Sequence, residues 1–200
     1  EHIAEFDKTA MPDVPKYPLI FTKATTSVIG PDDFIDPHKN VTNAVDYEGE
    51  LAVIIGKEGS DIPVSDAMDY VYGFTILNDV TARDLQANHV QWFHGKSLDT
   101  FCPMGPYVLL RDAAPDTFDV VTKVNGEVRQ DASTGEFIFT IPQLIQTISQ
   151  GTTLLPGDVI ATGTPSGVGV GFNPPKYIHS GDVVEISISG IGTLKNTVKK

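Results

Sequence analysis

The chain is expected to fold as a mainly β or α+β domain. Three observations carry that expectation: many short apolar runs rich in Val and Ile, frequent Gly and Pro between them, and few stretches with helical periodicity. A length of 200 residues suits one domain with a substantial core.

The elements follow in order. Pro12, Pro15 and Pro18 forbid a helix and set an extended loop from Met11 to Ile20. Phe21 to Val28 reads as a strand, and Gly30 to Asn43 as loop. Glu48 and Glu50 lead into the apolar run Leu51 to Ile55, a strand entering a core. Ser65 is placed to cap a short helix through Tyr70. Val71 to Leu77 reads as a buried strand ending near Asp79, and Thr81 to Asn88 as one or two helical turns. Asn125-Gly126 between two alternating runs marks a hairpin. Ile141 to Gly151 reads as a helix, with Pro142 in its first turn and Gly151 ending it. A turn at Leu155 to Asp158 leads into Val159 to Thr162, and Gly181 to Ile188 alternates as a further strand.

The formal net charge of -12 argues against nucleic acid and against an anionic membrane surface, since both need clustered Lys and Arg. No apolar run reaches membrane-spanning length, and no signal peptide is visible. The lone Cys102 excludes an internal disulfide and a cysteine zinc cluster, and reads as packed and inert. A cytoplasmic location is expected, or a mitochondrial one in a eukaryote. The chain starts at Glu1 rather than Met, so further residues upstream are expected.

Residues two apart on a strand share a face, so Glu48 and Glu50 would repel unless a cation lay between them. A hard divalent ion with oxygen ligands fits, and Asp79 could supply a third oxygen while leaving positions for water and substrate. A Glu-x-Glu pair alone equally fits a solvated strand face, and Asp79 a turn or cap. Two nucleotide motifs fail. Gly95-Lys96-Ser97 lacks the upstream glycine of a phosphate loop, since that position is Val90. The glycine-rich run Thr162 to Gly171 meets Pro174 and Pro175 where a dinucleotide site needs a helix; its backbone N–H groups could instead bind a carboxylate.

Four motifs in register resemble the fumarylacetoacetate hydrolase family. They are Asp46-Tyr47-Glu48-Gly49-Glu50-Leu51-Ala52, Asn78 to Gln86, Gly95 to Pro106, and Thr162 to Gly169. The resemblance spans nearly the whole chain and is nearest to the branch holding acylpyruvate hydrolases, oxaloacetate decarboxylases and hydroxymuconate-pathway isomerase/decarboxylases. It implies a mixed β-roll, often homodimeric, forming one catalytic domain over 1–200 with a mobile lid at about residues 1–12. It implies Glu48, Glu50 and Asp79 as ligands of Mg²⁺ or Mn²⁺, with Ca²⁺ able to substitute. His2 and Glu5 resemble the catalytic His-x-x-Glu pair of the lid, and Lys96 a catalytic cation beside the metal. Arg83, Gln86, Thr164 and Lys23 resemble contacts to a small anionic 2-oxo acid. The implied activity is hydrolysis of a C–C bond in acylpyruvates through an enolate. The alternatives are oxaloacetate decarboxylation and 2-hydroxyhepta-2,4-diene-1,7-dioate isomerisation/decarboxylation. A non-enzymatic alternative is a β-rich module holding structural Ca²⁺ in a filled oxygen shell.

Overall fold

The structure is a computed structural model that describes residues 15–200. Two five-stranded sheets face each other across one core. The first has the order β1 (Val28–Ile29), β7 (Cys102–Leu110), β5 (Val71–Asn78), β4 (Gly49–Ile55), β10 (Val159–Ala161). The second runs β2 (Phe34–Ile35), β12 (Gly192–Val198), β11 (Val183–Ile188), β8 (Asp119–Val124), β9 (Glu127–Ser133). Pairing is antiparallel except for the edge pairs β1/β7 and β2/β12. Phe74 of the first sheet meets Phe118 beside the second with ring centroids 5.2 Å apart, and Ile186 and Ile188 join the same buried cluster. Among the described residues the α-helices are few: α1 (Arg83–Asn88), α2 (Phe93–Lys96) and α3 (Ile141–Ser149). This is the mixed β-roll with few helices that the resemblance implied.

The antiparallel β4/β5 pair sets Gly49 opposite Asn78. Just beyond it, β3 (Val45–Asp46) pairs with β6 (Thr81–Ala82), and the N–H of Asp79 donates to the Glu48 carbonyl at 2.9 Å. Residues 46–50 and 78–83 therefore meet at one end of the first sheet. Asn125 (φ 51°) and Gly126 (φ 82°) form the expected hairpin turn between β8 and β9. Helix α3 opens on a reciprocal Thr140/Gln143 capping box with Pro142 in its first turn.

Several expectations are corrected. Only Val28–Ile29 of the 21–28 stretch joins a ladder, because Ser27 bonds back to the Ala24 carbonyl through both N–H and hydroxyl and closes a 3₁₀ turn. Ser65 caps nothing; its hydroxyl donates to Asp66, and the short 3₁₀ turn Ala67–Tyr70 starts later. Helix α1 starts at Arg83, since Thr81 and Ala82 are held by β3. Lys96 ends the short helix α2. Strands β2, β7 and β12 lay outside the expected elements. In β12 the local signal is masked by Asn196, buried at a core-facing position where its amide donates to the Gly30 and Asp33 carbonyls.

Candidate metal centre and its cation frame

Glu48, Glu50 and Asp79 are all buried, and one carboxylate oxygen from each lies within 4.8 Å of the others. Glu48 comes from the turn between β3 and β4, Glu50 from β4, and Asp79 from the end of β5. Burial first, then the charges of Asp79 and Glu48, hold the Glu50 carboxyl well above the usual carboxylate range. The Lys96 charge and the Gly163 N–H, 2.8 Å from Glu50 Oε2, pull it only partly back. A buried all-oxygen set of this kind suits a hard divalent cation.

Three cations frame the acids. Lys96, 1% exposed, places Nζ 2.8 Å from Glu48 Oε2 and 2.7 Å from Asp79 Oδ2. Burial pulls its ammonium down, but Asp79 and Glu48 outweigh that, and the group stays protonated above its ordinary value. Lys23 donates to Asp79 Oδ1 at 2.6 Å, to the Val80 carbonyl at 3.3 Å and to the Lys96 carbonyl. An ammonium has three donors, so these acceptors occupy Lys23 fully and make it a brace between β5 and α2. Arg83 sends Nη1 to Glu48 Oε1 at 2.7 Å and Nε to Asp46 Oδ2 at 2.8 Å. Its Nη1 also donates to Gln86 Oε1 at 3.1 Å, three residues on along the same helical face. Arg83 Nη2 is buried without a hydrogen-bond partner among the described residues.

The glycine-rich segment does bind carboxylates through its backbone, and they belong to the chain itself. Gly163 holds Glu50, while the N–H groups of Gly169 and Val170 hold Asp46 at 2.7 and 2.9 Å. The Thr164 hydroxyl donates to the Gly49 carbonyl at 3.0 Å and accepts from Gln130 at 2.7 Å, so the structure ties it to β4. Gln130, on β9, also accepts from the Gly49 N–H at 3.0 Å and donates to the Pro165 carbonyl. Sequence reasoning passed over both Gln130 and Asp46. Gln130 has no local signal, whereas Asp46 stood within the strongest motif. Phe21 packs on Trp92 at 5.6 Å and lies 5.0 Å from the Lys96 ammonium, while His89 and His94 are exposed and face each other. Cys102 is buried, and burial pushes its thiol up to about 11. His2 and Glu5 lie outside the described residues.

A β-roll with three buried acids ringed by cations at one sheet end defines a candidate metal-dependent site for a small anion. Residues 1–199 match the fumarylacetoacetate (FAA) hydrolase C-terminal family, and the chain belongs to it. It is 52% identical over 200 residues to the oxaloacetate tautomerase YisK of Bacillus subtilis (strain 168), covering 99% of this chain and 66% of that protein. A solved fumarylacetoacetate hydrolase from psychrophilic Exiguobacterium antarcticum superposes with a TM-score of 0.89 at 52% identity, covering 90% of this chain and 66% of that one. A 5-carboxymethyl-2-hydroxymuconate delta-isomerase from Mycobacterium smegmatis gives a TM-score of 0.85 at 42% identity, covering 96% and 73%. The chain thus spans just under two thirds of the first two relatives. Among the described residues no helix is long and apolar enough to cross a membrane.

Proposed function

We propose that this chain catalyses enol–keto chemistry, with or without decarboxylation, on small 2-oxo dicarboxylates of the oxaloacetate type. The observation that carries the reading is the convergence of Glu48, Glu50 and Asp79 within 4.8 Å, with Lys96 bonded to two of them. Mg²⁺ or Mn²⁺ held by these acids would supply Lewis-acid stabilisation of negative charge developing on the substrate. Lys96 uses two donors on Glu48 and Asp79 and offers the third to a substrate oxygen. The charges of Asp79 and Glu48 raise its ammonium above the ordinary value, which suits a donor that stabilises an anionic oxygen. Arg83 Nη2 is the donor left for a substrate carboxylate, with Gln86 fixing the guanidinium plane. Lys23 and Thr164, which resembled substrate contacts, act by holding Asp79 and Gly49 in place. Lysine bonded directly to two of the acids speaks against the calcium module, which calls for a filled oxygen shell.

Acylpyruvate hydrolysis is the second reading, and the His-x-x-Glu spacing of His2 and Glu5 favours it. There His2, oriented by Glu5, takes a proton from water that attacks the distal carbonyl and breaks the C–C bond. The homodimer stands with these proposals. The test is a Mg²⁺-supplemented assay of oxaloacetate, acetylpyruvate and fumarylpyruvate side by side. Faster enol–keto interconversion of oxaloacetate that survives His2→Ala but not Glu50→Gln is the expected result. Turnover of acylpyruvates alone, abolished by His2→Ala, would establish hydrolysis instead.

A further inference from the structure

Asp46 has no place among the residues assigned to metal or substrate, yet it is fully buried and its carboxylate accepts four hydrogen bonds. Oδ1 takes the N–H groups of Tyr47 at 2.9 Å and Gly169 at 2.7 Å. Oδ2 takes the N–H of Val170 at 2.9 Å and Nε of Arg83 at 2.8 Å. Every partner donates, so the site fits an ionised carboxylate; an amide would turn its own N–H toward other donors. Gly169 is fixed here by contact: a Cβ would lie 2.6 Å from Asp46 Oδ1. Of these partners only Arg83 carries a charge, and its other charged contact is Glu48.

We infer that Asp46 is a positioning residue that neutralises Arg83 and so keeps Glu48 available to a divalent cation. Arg83 is shared almost evenly, 2.8 Å to Asp46 and 2.7 Å to Glu48. In a buried setting charges interact strongly. Without the Asp46 charge, the guanidinium has Glu48 as its sole carboxylate partner among the described residues and competes with the metal for it. With the charge in place, Asp46 offsets the guanidinium, so Arg83 draws less strongly on Glu48, whose other oxygen meets Lys96.

The inference rests on the metal reading of the acid cluster, and a double-mutant cycle read by equilibrium Mn²⁺ binding separates the two. Wild type should bind Mn²⁺, and Glu50→Gln should lose it; failure there sinks the metal reading itself. Given that binding, Asp46→Asn should weaken Mn²⁺ by about tenfold or more, and Arg83→Gln should bind at least as tightly as wild type. The double variant Asp46→Asn/Arg83→Gln should return to within about threefold of wild type, a recovery that loss of packing would not produce. If Asp46→Asn does not fold, Arg83→Gln alone decides. Weaker Mn²⁺ binding by Arg83→Gln overturns the inference. So does a double variant as weak as Asp46→Asn, or an Asp46→Asn variant that binds like wild type.

Discussion

The two sheets solve different problems. In the second, β11 alternates buried and half-exposed residues and β8 nearly so, as expected of a sheet with one wet face. In the first, β4 and β5 are buried on both faces for nearly their whole length. Charged side chains on the outer face of the second sheet, such as Lys123 and Glu185, reach water. The acids at the end of the first cannot, so they are met by Lys96, Lys23, Arg83 and backbone N–H groups. The lesson is that burial on both faces makes carboxylates at a strand end recruit cations, which is the electrostatic setting a metal site uses.

Lys96→Met strikes the contrast hardest. Leaving Glu48 and Asp79 buried beside each other should cost about 3–5 kcal/mol in urea unfolding, with Mg²⁺ restoring part of it. Turnover should fall by more than about 100-fold. An unchanged unfolding midpoint would show that Arg83 and Lys23 alone suffice to balance Glu48 and Asp79. Gly49→Ala probes the seam where the sheets touch. Its Cβ would meet Thr122 Oγ1 and lie 3.2 Å from Gln130 Oε1 and from Ile186, so destabilisation of about 1–3 kcal/mol is expected by calorimetry.

Cys102 reports the dryness of the first sheet through pH. Burial raises its thiol to about 11, so the folded state favours the protonated form. Its contribution to stability is whole below pH about 9 and declines as pH rises toward 11. Native protein should resist thiol-specific reagents at pH 8, whereas urea-unfolded protein reacts fully. Least should happen on the second sheet's wet face. Lys195→Ala removes a 3.7 Å pair with Glu185 and should change stability by less than about 0.5 kcal/mol.

Strands β4, β5 and β10 of the first sheet were legible because they are continuous apolar runs, whereas β7, broken by Pro103, Gly105 and Pro106, was not. The hairpin at Asn125-Gly126 and the capped helix after Thr140 were legible because their turn and cap chemistry is local. The acid cluster was legible because Glu48, Glu50 and Asp79 stand at the ends of such runs. The bracing contacts of Lys23 were not legible, since nothing near it in the chain shows that its donors meet residues at 79, 80 and 96. Gln130 was invisible because its partners at Gly49, Thr164 and Pro165 lie on other elements.

By itself the sequence determined which residue types stand together along the chain: the alternation of the strands, the paired glutamates, and the glycines that let backbone approach a carboxylate. Tertiary structure alone decided which charge answers which. Asp46 meets Gly169 across 123 positions, and Lys23 meets the Lys96 carbonyl across 73. Local periodicity fixes the direction of a side chain relative to its own strand or helix. The partner it finds depends on how distant elements pack, and for a buried charge that partner sets its protonation and its role.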